Sequence, residues 1–279
     1  MIDLRRAMES SSRTQPGRPG ESRVPLLGDV LRRRIYSPRS YAQARNAAVV
    51  PVVHSECDVL ASWFPLVWRC RERHTEFVAL RGLVDEERFQ PRPARSLLPL
   101  ILRAYPFVFD HSGTIGPASA RMLDDVVADE PTDIGATITT VHHRLSRATQ
   151  TRFAFMDRFA EDAIATAEIG QALARMDAFE PWPLAFDIAG HRIEVTDLFV
   201  IRRAMFEGAR LAPLLRQHGL SCARMLSLHR VSLFRAGGLL AAARAALQES
   251  CETSGPDVGG PASQHQASPA PQVQLAAEA

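Results

Sequence analysis

The sequence predicts an α+β fold: an antiparallel or mixed sheet from N-terminal strands and a later hairpin, packed with a long central helix and C-terminal helices. Three observations predict it. Short valine-rich and apolar runs crowd residues 48 to 84, and helical apolar spacing dominates from about 137 to 177. No regular alternation of strand and helix runs along the chain, which argues against a doubly wound parallel sheet.

Taken in order, AVVPVV (48–53) reads as a buried strand, and Pro51 demotes it to an edge or a bulge. Ser55 is placed to cap a helix in which Val59, Leu60, Trp63 and Phe64 recur at helical spacing. PLVWRC (65–70) and EFVALRGLV (76–84) read as strands joined by the polar turn RERHT. ARSLLPLILRAY (94–105) reads as a helix containing a proline, and PFVFD (106–110) as a further strand. The long helix, about 137 to 177, puts Val141, Leu145, Ala148, Phe155, Phe159 and Ala163 on one face. After the PWP break, residues 184–195 read as a hairpin through Ala189-Gly190, and FVI (199–201) extends the sheet. Two helices follow, about 203–217 and 221–248, the second interrupted at Gly237-Gly238.

The flanks differ in composition. Residues 1–44 are rich in Ser, Arg, Pro and Gly, and 249–279 are low-complexity and almost uncharged, so both are expected to be disordered around one domain at 45–248. Residues 1–45 hold ten arginines against four acids, although the whole chain of 279 residues carries only +2. Such asymmetry is read as a solvated tail rather than a nucleic-acid arm.

The chain contains no lysine, which excludes a P-loop lysine, a kinase lysine and a Schiff-base lysine. Cys57, Cys70, Cys222 and Cys251 are scattered, fitting a reducing compartment rather than a zinc ribbon. The N-terminus has no apolar run of signal-peptide type, and the longest apolar runs fall far short of the roughly 20 residues of a membrane span. A cytoplasmic location is expected, with no cofactor.

HSECD, residues 54–58, gathers a histidine, a glutamate, a cysteine and an aspartate. A zinc deaminase would use His54 and Glu56 with two further thiolates in a PCxxC element, which this chain lacks. The stretch therefore reads as a helix start, with Glu56 and Asp58 in the first turn. His142-His143 stand roughly 100° apart on a helix, not at the i, i+4 spacing of a zinc pair. His229 falls on an apolar stripe and reads as a packed histidine, and Asp124 to Asp133 as a solvated acidic connection. No GxSxG, no GxGxxG after a strand and no arginine–aromatic alternation appears, so a hydrolase elbow, a dinucleotide site and nucleic-acid binding lack support.

RAYPF, Arg103 to Phe107, places a proline between two large rings at a helix-to-strand junction, a structural corner or a binding surface. With Glu56, three of its residues (Arg103, Tyr105 and Phe107) form the candidate binding site. Glu56 and Arg103 are expected to meet as a charge-assisted pair.

The order VVPVV, Glu56, Phe64-Pro65-Leu66-Val67-Trp68, Leu80-Arg81-Gly82-Leu83, Pro99 and Arg103-Ala104-Tyr105-Pro106-Phe107 resembles the SapC family. Leu198 to Ile201, His218-Gly219 and Ser227-Leu228 extend the resemblance, which spans about 40 to 240. Glu87-Arg88-Phe89 and SGTIGPASARMLDD depart from the family pattern, which marks a divergent member. The family takes its name from a bacterial surface-layer locus. The resemblance implies a non-catalytic accessory protein in transport or secretion, with a peptide or protein partner and no established catalytic residue. It also makes Glu56 the family glutamate at a strand-to-helix corner. The alternative is an enzyme using Glu56 and Arg103 in a polar cleft.

Overall fold

Continuous apolar runs, Leu66–Trp68 and Phe77–Leu80, set the centre of the molecule. The computed structural model describes residues 23–25, 33–71, 74–110, 115–116, 119, 121–124, 126–188 and 190–253. Its first elements are β1 (Arg23–Pro25), β2 (Arg34–Ile35), α1 (Ala42–Asn46), β3 (Val49–Pro51) and α2 (Cys57–Leu60). The central hairpin β4 (Leu66–Arg71) and β5 (His74–Leu80) follows, then α3 (Leu100–Arg103), β6 (Phe107–Phe109), β7 (Arg121–Asp124) and β8 (Ala136–Thr137). The second half holds α4 (Arg147–Arg175), β9 (Phe179–Pro181), β10 (Leu184–Ile188), β11 (His191–Val195), β12 (Leu198–Ile201), α5 (Ala212–Ser232) and α6 (Ala236–Thr253). Every strand pair is antiparallel, so the class is α+β as predicted.

The main sheet has the order β3-β5-β4-β12-β9. Side chains alternate across it. Leu66, Trp68 and Phe77 face α4 and α5, where Ile169, Leu173 and Met225 meet them. Val67, Val78 and Val200 face α6 and the β10–β11 hairpin, packing with Leu239, Ala243 and Ile193. The sheet is thus covered on both faces. α4 crosses it closely at Gly170, where an added Cβ would lie 2.6 Å from both Thr75 Oγ1 and Trp68 Cζ3. Towards its N-terminus α4 covers a second sheet, β1-β7-β6, through Phe107, Phe109, Leu123, Met156 and Phe159.

His229 of α5 enters the main sheet. The β12–β4 register, Leu198 with Arg69 and Phe199 with Trp68, brings Ile201 opposite Leu66. There the imidazole stands between the strands. Nδ1 bonds the Leu66 carbonyl at 2.6 Å, and the Ile201 N–H donates to Nε2 at 3.2 Å. Burial lowers its pKa to about 4. The apolar stripe places His229 correctly as a packed residue.

Several boundaries differ from expectation for identifiable reasons. The helix expected over 94–105 shrinks to the four residues of α3, because Pro99 stands at its N-terminal boundary and Pro91-Arg92-Pro93 leaves only a short 3₁₀ turn upstream. The long helix begins at Arg147, where Ser146 Oγ accepts the Thr149 N–H. Before it, His143 takes φ 56° and a Thr139–Leu145 bridge closes a turn, so His142 and His143 lie off the helix. The first of the two C-terminal helices starts at 212 after a 3₁₀ turn at 203–206. The break between them falls at Gly219 (φ 66°), within the expected gap at 218–220. The second is broken by the 3₁₀ turn Leu233–Arg235, not at Gly237-Gly238. Upstream of 45, Ile35 and Tyr41 are each 2% exposed, so ordered structure reaches back into the segment expected to be disordered. The rest of that segment, apart from β1, and the tail beyond 253 lie outside the described residues.

Candidate functional site

HSECD turns from strand to helix, as its spacing predicts, but Ser55 does not cap it. His54–Glu56 forms a 3₁₀ turn leading into α2, with Val53 still extended before it. Glu56 serves this turn instead: its Oε2 accepts the Val53 N–H at 3.2 Å, while Oε1 accepts the Leu100 N–H at 2.6 Å. One buried carboxylate therefore joins the end of the VVPVV segment to the start of α3. Burial raises its pKa to about 7, against the opposing pull of the two N–H donors and of the Arg103 charge.

The neighbouring side chains point at α4. Ser55 Oγ donates to Asp162, and His54 uses its backbone N–H (3.0 Å) and Nδ1 (3.1 Å) on Thr166 Oγ1. His54 Nε2 lies 3.9 Å from Asp162. A nucleophilic serine would need its hydroxyl on the imidazole. Here it bonds the carboxylate directly. Among the described residues no group of three His, Cys, Asp or Glu side chains stands close enough to hold a metal ion.

The expected Glu56–Arg103 ion pair is not formed. Arg103, the last residue of α3, is exposed and lays its guanidinium 3.9 Å from the centre of the Phe155 ring. Tyr105 is buried, donates to Asp124 at 2.6 Å and meets the Tyr41 ring edge-on at 5.2 Å. Phe107 is fully buried against Phe153 at 5.0 Å, and the Tyr105–Pro106 peptide is cis. The fold brings Glu56 and the RAYPF corner to opposite ends of α3, yet it spends Tyr105 and Phe107 on packing. Of the four predicted site residues, only Arg103 is open to solvent.

A second cluster escaped the sequence reading. Arg81 is fully buried and donates to the Ala44 and Ala47 carbonyls, both at 3.0 Å, at the C-terminal end of α1. Gln90 donates to the Arg45 carbonyl beside them, and Gly82 lets it approach, because a Cβ there would lie 3.3 Å from Gln90 Cγ. A cation at a helix C-terminus satisfies carbonyls that the helix leaves free. Arg45 in turn is held by Glu87, Asp129 and Glu130. The acidic stretch is therefore a clamp on residues 37–45, not a merely solvated connection: Asp129 also accepts the Ala42 N–H and Asp133 the Ser37 N–H. An arginine inside the apolar run VALRGLV was the available signal.

Strand edges are the other surface a peptide can use. In β3 the Ala48 carbonyl and Val52 N–H bond towards β5, so Val49 and Pro51 face the free edge. In β9 the Ala178 carbonyl and Trp182 N–H bond towards β12, so Phe179 and Pro181 face outward. Both edges of the main sheet thus present a proline where an N–H would invite pairing. At β9 the Phe179 carbonyl is also taken by Arg202 Nε at 3.0 Å. The β10–β11 hairpin is built differently. Its two-residue loop makes Ile188 and His191 a hydrogen-bonded pair, which turns the backbone groups of Arg192 and Glu194 outward along β11. Neither position is a proline.

A family model described as SapC matches residues 32–235. No curated protein and no solved structure matches the chain.

Proposed function

The chain belongs to the SapC family, and we propose that it is a non-catalytic cytoplasmic accessory protein that holds an extended peptide or protein segment along the edge of β11. The observation that carries this reading is the contrast between edges. The main sheet is guarded by Pro51 and Pro181, whereas the outward backbone positions of β11 are Arg192 and Glu194. Strand addition takes affinity from main-chain hydrogen bonds and specificity from alternate side chains, so a partner needs an extended conformation more than one fixed sequence. A helper in transport or secretion has that requirement.

The corner around Glu56 supports the same conclusion. Both carboxylate oxygens are engaged by backbone N–H groups, and Arg103 lies on Phe155. That leaves little for acid–base work at this corner. No helix among the described residues is long and apolar enough to cross a membrane.

A photocrosslinking side chain at position 194, introduced into the full chain in its native host, tests the proposal. It should yield one discrete adduct that is missing when the crosslinker sits at exposed Val127. The same adduct pattern from both positions would contradict it.

A further inference from the structure

We propose that the outer face of α5 is a docking surface for an anionic lipid leaflet, a role separate from the hairpin edge. α5 buries one face: Cys222, Met225, Leu226 and His229 point into the core. Its opposite face carries Leu220, Arg224, Ser227 and Val231 at spacings of four, three and four, and the stripe continues into the next turn with Phe234. Leu220 is 83% exposed, Val231 60% and Phe234 87%. Side chains this exposed project outward rather than line a groove. They form a ridge roughly 20 Å long at the helical rise per residue.

The ridge lies in a basic field. Residues 202–247 contain eight arginines and one acid, Glu207, a net of +7 with histidine neutral. Arg202, Arg203 and Arg224 are paired, with Asp177, Glu207 and Asp58. Arg216, three residues before the Gly219 kink, and Arg235, next to Phe234, are exposed and make no ion pair among the described residues. The Asp58–Arg224 bond also ties α2 to the ridge, and α2 brings exposed Val59 and, just beyond its end, Trp63.

Projecting aromatic and aliphatic side chains among arginines match the boundary between headgroups and acyl chains. Charge complementarity selects an acidic leaflet, since each arginine near such a surface adds attraction that salt screens. A second copy of the same face is disfavoured, because it would bring exposed Arg216 and Arg235 against the same arginines of the copy.

The test is flotation of the full chain with phosphatidylcholine vesicles, with and without phosphatidylglycerol. Binding should require phosphatidylglycerol and weaken as salt is raised. It should fall about tenfold or more in Leu220→Ser/Phe234→Ser and in Arg216→Gln/Arg235→Gln. Unchanged melting temperatures in both variants show that the fold is kept, as expected for exposed positions. No flotation with phosphatidylglycerol at low salt overturns the proposal. So does flotation lost with the arginines but untouched by Leu220→Ser/Phe234→Ser, which is charge attraction without insertion. Tight binding of a polyglutamate peptide with no vesicle binding assigns the face to an acidic protein and also overturns it.

Discussion

The Glu56 carboxylate accepts the Leu100 backbone N–H at 2.6 Å across 44 residues of sequence, and with it the Val53 N–H. It is a bracket between the first edge strand and the helix that leads into the YPF corner. Its folded pKa of about 7, against 4.5 in the unfolded chain, means that the native state binds the proton more tightly. Its contribution is therefore fully present below pH 4.5 and is lost as pH rises through 7, on the order of 3 kcal/mol in all. Urea titrations from pH 4 to 8 should show the stability gap between wild type and Glu56→Gln shrinking over that window. A constant gap would mean that Glu56 does not titrate there. Arg103→Met, at an exposed ring contact, should cost under about 1 kcal/mol.

His229 works in the opposite sense. Its folded pKa near 4 lies below the unfolded 6.5, so its contribution is present above pH 6.5 and lost as pH falls through 4. Between 4.5 and 6.5 the two slopes oppose, and wild-type stability should be nearly flat. Glu56→Gln should then unmask a rise with pH. His229→Phe should leave the Leu66 carbonyl and Ile201 N–H unpaired and cost about 2 kcal/mol or more above pH 6.5. Equal stability of this variant above pH 6.5 would contradict the inserted-imidazole role.

Gly170→Ala ought to destabilise, although alanine favours helix by about 1 kcal/mol. The new methyl meets the Trp68 ring and Thr75, both on strands that α4 covers, and overpacking of this kind costs about 1–3 kcal/mol. A higher melting temperature would show that α4 can move off the sheet.

Limited proteolysis should leave one core that retains Ile35 and Tyr41 at one end and Leu247 at the other, because all three are buried. First cleavage near residues 178–183 would instead indicate two separable units.

The sheet was legible because burial on both faces makes Leu66–Trp68 and Phe77–Leu80 continuous apolar runs, the hairpin because one buried face imprints period two on Leu184 to Val195, and Pro51 marked an edge. Element ends were less so: periodicity alone ran the long helix back to 137, where Val141 is in fact exposed. The RAYPF motif was visible, but its role was not, since a buried Tyr–Pro–Phe corner and an exposed one have the same sequence. Arg45, Arg81 and Gln90 act through backbone carbonyls and acids far along the chain, contacts that no local pattern encodes.

On the proposed reading, partner binding belongs to the β11 edge and not to the Glu56 corner. The direct measurement is recovery of the crosslinked adduct from position 194 in Arg192→Pro and in Glu56→Gln. The proline removes an outward N–H without breaking the hairpin ladder, so the account predicts loss of the adduct in Arg192→Pro at unchanged melting temperature, and its retention in Glu56→Gln. Retention in Arg192→Pro with loss in a folded Glu56→Gln protein would contradict it.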